Sequence, residues 1–111
     1  QSNEPWKEVA EFVDTYSYNE DLIIVEPYYA RYNFERYSQK YLSGDIIVFD
    51  GEGISDGREV NNQDNYNDMY SRKRIWLIFR DEKSEEPFKR FSPTIKQKFG
   101  DIIVYLIVNG N

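Results

Sequence analysis

Asp21-Leu22-Ile23-Ile24-Val25-Glu26-Pro27 is the stretch that decides the fold. Four apolar residues in a row, three of them β-branched, have no polar alternation. That is the signature of a strand covered on both faces. Pro27 ends it, because proline has no N–H for a ladder. Near twins follow at Asp45-Ile46-Ile47-Val48-Phe49 and Asp101-Ile102-Ile103-Val104-Tyr105, the last running on to Val108. A fourth run is Arg74-Ile75-Trp76-Leu77-Ile78-Phe79.

The segments between these runs read as helices or loops. Pro5 suits a first helical turn, and Trp6, Val9, Ala10, Val13 and Tyr16 recur at helical spacing, predicting an amphipathic helix over 5–17. Tyr29, Phe34, Tyr37 and Tyr41 predict a second helix over 29–42, closed by Ser43-Gly44. Phe88, Phe91, Ile95 and Phe99 predict a third over 87–99, kinked at Pro93 and capped by Gly100. Residues 50–72 are rich in Gly, Asn and Asp with little apolar periodicity, and read as a long loop or insertion.

Helix and strand thus alternate, which implies an α/β fold: a three-layer α/β/α sandwich around a mostly parallel, four-stranded Rossmann-like sheet of order 2-1-3-4. Residues 4–109 form one soluble domain, a length that supports one core. Gln1-Ser2-Asn3 reads as the remnant of a cleaved purification tag. In open sheets of this kind ligands sit beyond the carboxyl ends of the strands, here the loops 27–33 and 50–72.

Composition narrows the chemistry. Fourteen Lys and Arg against twenty Asp and Glu leave a net charge of −6, which repels nucleic acid and anionic lipid. The chain holds neither Cys nor His, so thiolate chemistry, disulfides and the commonest general base are not available to it. Its longest apolar runs fall far short of the ~20 residues that span a bilayer. No cofactor and no metal are implied. Gly51-Glu52-Gly53-Ile54-Ser55-Asp56-Gly57 misses the dinucleotide glycine spacing and also the EF-hand register. Of the carboxylates, only Glu26 and Asp50, just past strand ends, have an apolar setting, and neither is part of a recognisable hydrolytic pair.

The candidate binding residues are Tyr28, Tyr29, Arg31 and Tyr32, directly after the first strand. Tyrosine faces stack on sugar rings, and an arginine fork holds hydroxyls or phosphate. The same tyrosines also fit a purely packing role between helix and sheet.

Read in order, Pro5-Trp6-Lys7-Glu8-Val9-Ala10-Glu11-Phe12-Val13, Asp21 through Tyr28, Phe34-Glu35-Arg36-Tyr37 and Arg74-Ile75-Trp76-Leu77-Ile78 resemble one family. It is the C-terminal soluble region of the dolichyl-phosphate-mannose-protein mannosyltransferase-like membrane glycosyltransferases of bacteria and archaea, relatives of the aminoarabinose transferases. The resemblance extends from about residue 4 to 108. It implies an extracytoplasmic domain of a multi-pass membrane protein that uses a polyprenyl-phosphate-linked sugar. The domain itself would be accessory, shaping acceptor access or stabilising the assembly. The implied partners are the transmembrane portion of that protein and a glycan or lipid-linked sugar; nucleic acid is not among them. The segment 50–72 is longer than the connection such proteins imply. A small independent α/β binding or protein-interaction module is the alternative.

Overall fold

The computed structural model describes residues 4–49, 72–80 and 92–109. Helix α1 (Trp6–Tyr16) places Trp6, Val9, Ala10 and Val13 on one buried face, at the i, i+3, i+4, i+7 spacing that lines a helix against a sheet. It stops where Ser17 turns extended while its N–H still bonds Val13 O at 2.8 Å. Strand β1 (Leu22–Glu26) is buried along its whole length. A 3-10 turn (Tyr28–Ala30) then leads into α2 (Arg31–Tyr37) and α3 (Gln39–Leu42). Strands β2 (Ile47–Phe49), β3 (Arg74–Phe79), β4 (Ile95–Phe99) and β5 (Ile102–Val108) complete the elements.

The predicted single helix over 29–42 is broken at Ser38, whose backbone is extended. The break is held from outside. Asp14 on α1 accepts from Ser38 Oγ at 2.7 Å and from Gln39 N at 2.8 Å, while Ser38 Oγ accepts from Tyr41 N at 3.1 Å. One carboxylate thus caps α3 and ties it to α1, a linkage generally stabilising by about 1 kcal/mol.

The sheet has five strands in the order β2-β1-β3-β5-β4. β1 runs parallel to both β2 and β3, whereas β3–β5 and β5–β4 are antiparallel. The expected mostly parallel, four-stranded Rossmann-like sheet of order 2-1-3-4 is therefore wrong: the sheet is mixed, and a fifth strand occupies its edge. The cause lies at 95–99, expected to end a helix over 87–99. There Phe99 pairs with Ile102 across Gly100-Asp101. Gly100 at φ +60 opens a two-residue turn of the II′ kind, in which only the first residue needs positive φ. The tight turn sends β5 back along β4, and β5 then meets β3 antiparallel. The remainder of the predicted helix, 87–91, lies outside the described residues.

Register divides the core in two. Ile23, Val25, Trp76, Ile78, Val104 and Leu106 face α1 and α2, joined by Phe34. Phe12 of α1 meets Trp76 and Phe99 edge-on, with centroids 6.2 and 5.4 Å apart. Leu22, Ile24, Leu77, Phe79, Ile103 and Tyr105 are buried on the other face, in a cluster drawn from strand residues alone. Among the described residues, helices contribute only to the first cluster. Each large side chain so buried contributes about 1.5–3 kcal/mol. At the outer edge, β4 exposes Lys96, Gln97 and Lys98, charge of the kind that discourages further strand addition.

Candidate functional site

The carboxyl ends of the parallel pair β1 and β3 meet where Arg80 N donates to Glu26 O at 2.8 Å. Glu26 closes β1 with its side chain 2% exposed, so it sits beneath this end of the sheet and is not displayed on it. The Glu26–Pro27 peptide is cis, and the chain leaves the strand into the 3-10 turn. The predicted residues Tyr28, Tyr29, Arg31 and Tyr32 fall on that turn and on the first turn of α2.

They form two contact pairs. Tyr28, half-buried, meets Tyr29 edge-on, with centroids 5.6 Å apart and ring planes at 82°. The Arg31 guanidinium lies 5.1 Å from the centroid of the Tyr32 ring, and Arg31 Nε is 3.8 Å from Glu35 Oε2. Tyr29 and Tyr32 are 54% and 59% exposed, so about half of each residue faces solvent. Tyr28 and Arg31, partly enclosed, hold them in place. Glu35 behind this surface titrates above its ordinary value, because burial penalises its charge more than Arg31 stabilises it.

On the same side of the sheet, Glu4 just before α1 accepts from Arg80 Nε at 2.9 Å and from Trp6 Nε1 at 3.1 Å. Burial alone would raise the Glu4 carboxyl. The two hydrogen bonds and the Arg80 charge together outweigh it and hold the carboxyl below the ordinary value. This ion pair joins Glu4 to the residue after β3, whose N–H bonds Glu26 O at the end of β1.

The amino ends of the strands carry a group that the linear reading missed. Asp21, 4% exposed, accepts from Trp76 Nε1 at 2.9 Å, from Arg74 Nε at 3.1 Å and from Tyr18 N at 2.9 Å. Arg74 also donates to Tyr16 O at 3.1 Å, and its guanidinium lies 3.7 Å from the Tyr18 ring centroid. The available signal was opposite charge at the head of two apolar runs, Asp21 before Leu22 and Arg74 before Ile75.

Asp50 and all of the expected contact loop 50–72 except Arg72 lie outside the described residues; Arg72 lies at the amino end of β3, not at the carboxyl ends of the strands. Among the described residues, no group of His, Cys, Asp and Glu is arranged to hold a metal ion. Nor is any helix long and apolar enough to cross a membrane. No family model, curated protein or solved structure matches the chain.

Proposed function

We propose that this chain is an accessory saccharide-contacting domain, in which Tyr29 and Tyr32 stack on sugar rings while Arg31 orients hydroxyls or a phosphate. The observation that carries this reading is the exposure of those two rings, on a turn anchored at the end of a fully buried strand. Aromatic faces on a rigid support bind sugars with little loss of side-chain freedom. A chain with neither His nor Cys suits contact better than bond-making. The block resemblance supplies the setting: the extracytoplasmic part of a multi-pass, mannosyltransferase-like membrane enzyme that draws on a polyprenyl-phosphate sugar. In that setting the tyrosine turn guides the acceptor, and catalysis belongs to the membrane-embedded portion.

Titrating the 15N-labelled chain with manno-oligosaccharides tests the proposal. Amide shifts should concentrate at Tyr28, Tyr29, Arg31 and Tyr32; an unchanged spectrum at ~10 mM sugar, a concentration that detects even very weak binding, refutes it. A second reading, a module that binds another protein, is favoured by the composition of the same surface, since Tyr and Arg are enriched in interface hot spots. A binding partner recovered through this surface, with no response to sugar, selects that reading.

A further inference from the structure

The amino ends of β1 and β3 border an open depression of about 300 Å3, lined by residues 18–21 and 72–74. That volume lies at the small end of ligand pockets, ~300–1,000 Å3. We propose that this depression is a second binding site, taking a small ligand that carries an oxyanion, a carboxylate or phosphomonoester, on a flat ring. It lies at the opposite end of the sheet from the tyrosine turn and does not depend on the saccharide reading.

Charge is the first argument. In a chain of net charge −6, this lining brings together three cationic side chains against two acids. Asp21 is paired with Arg74 and offsets that charge. The lining as a whole keeps one net positive charge, which favours an anionic ligand over a cationic one.

Rigidity is the second. Arg74 is fixed through Nε to Asp21 and through Nη2 to Tyr16 O, and its Nη1 has no acceptor among the described residues. Lys73 is exposed, but its backbone is pinned: Asn109 N donates to Lys73 O at 2.7 Å, and Asn109 Nδ2 to Arg72 O at 3.0 Å. Glu20 takes a left-handed φ of +72, unusual for its type, held as its N–H bonds Asp45 O at 2.6 Å. The Arg74 side chain and the backbone beneath Glu20 and Lys73 are thus set before a ligand arrives, which lowers the cost of binding.

The ring preference comes from Tyr18. One of its faces carries the Arg74 guanidinium, and the side chain is still 64% exposed, so the other face is open. A cation on one face draws π density toward itself. The open face is then less negative and receives a ring bearing an anionic substituent better than an isolated tyrosine does. The oxyanion goes to Lys73 and Arg74 Nη1 while the ring lies on Tyr18.

The test is a 15N titration of the chain with phenyl phosphate, inorganic phosphate and phenol. Phenyl phosphate should shift the amides of Asn19, Glu20 and Lys73, bind about tenfold more tightly than either fragment, and weaken with added salt. Lys73→Glu, at an exposed position, should lower its affinity about tenfold with the rest of the spectrum unchanged. Tyr18→Ala should reduce phenyl phosphate to the affinity of inorganic phosphate. Phenol or phosphate binding as tightly as phenyl phosphate would overturn the proposal, as would Lys73→Glu binding like the parent or no shift at ~10 mM.

Discussion

Replacing Asp21 by Ala removes a single carboxylate that three donors share. The Trp76 indole N–H is buried and would lose its acceptor, at about 1–3 kcal/mol. Arg74, with its side chain 15% exposed, would keep its charge without the opposite one. Breaking a buried pair on one side costs about 3–5 kcal/mol, and partial exposure here argues for the lower end. The two losses overlap because both come from the same oxygens, so the expected destabilisation is about 4 kcal/mol. With a urea dependence of ~1–3 kcal/mol per M, the unfolding midpoint should fall by roughly 2 M. Tryptophan fluorescence reports it, since Trp6 and Trp76 are the only tryptophans. Asp21→Asn, which keeps one acceptor oxygen, should lose about half as much. The double variant Asp21→Ala/Arg74→Met should recover part of the loss, because the stranded charge is gone. A loss below about 1 kcal/mol in Asp21→Ala would refute the assigned role, since that is the value of an exposed pair.

Two carboxylates near the tyrosine turn respond to pH in opposite directions around the ordinary value of 4.5. Glu4 titrates lower in the folded chain, so its contribution is present at neutral pH and disappears as pH falls through the lowered value. Glu35 titrates higher, so its contribution is present at acid pH and disappears as pH rises through the raised value. Thermal melts across pH 3–8 should show Glu4→Gln less stable than the parent at pH 7 and Glu35→Gln slightly more stable, each by under ~1 kcal/mol for such partly exposed groups. The two differences should converge toward zero at acid pH; parallel shifts at every pH would contradict the assignment. Gly100→Ala forces a side chain onto φ +60, where the added Cβ lies an ordinary 3.7 Å from Pro5, so the cost is backbone strain of about 1 kcal/mol. A melting temperature equal to the parent's would mean that the turn relaxes to another form.

The buried strands were legible because a run such as Leu22–Val25, apolar on both faces, leaves little other choice at that length. The direction of β5 was not, since an unbroken apolar run has no polarity of its own. Its direction comes from the two-residue Gly100-Asp101 turn, whose glycine served equally well as a helix cap. Ile95 and Phe99 add to the ambiguity: four residues apart, they share one face of a helix and one face of a strand alike. Ser38 breaks a helix whose aromatic spacing continues past it, because the carboxylate that holds the break is on another helix. Of the candidate site, the local cluster Tyr28–Tyr32 could be read from adjacency alone. Asp21, Arg74 and Trp76 could not, because their contacts join positions more than fifty residues apart, and a linear reading sees only two charges at the heads of two strands.

The tyrosine turn as a saccharide surface is tested most directly by calorimetric titration of a manno-oligosaccharide into the parent chain and into Tyr29→Ala/Tyr32→Ala. Each exposed ring is worth about 0.5–1.5 kcal/mol of stacking, so the double variant should bind roughly 5- to 150-fold more weakly. Its melting temperature should match the parent's, because neither ring is part of the core. Equal affinity for the two chains, or no heat from either, would contradict the account.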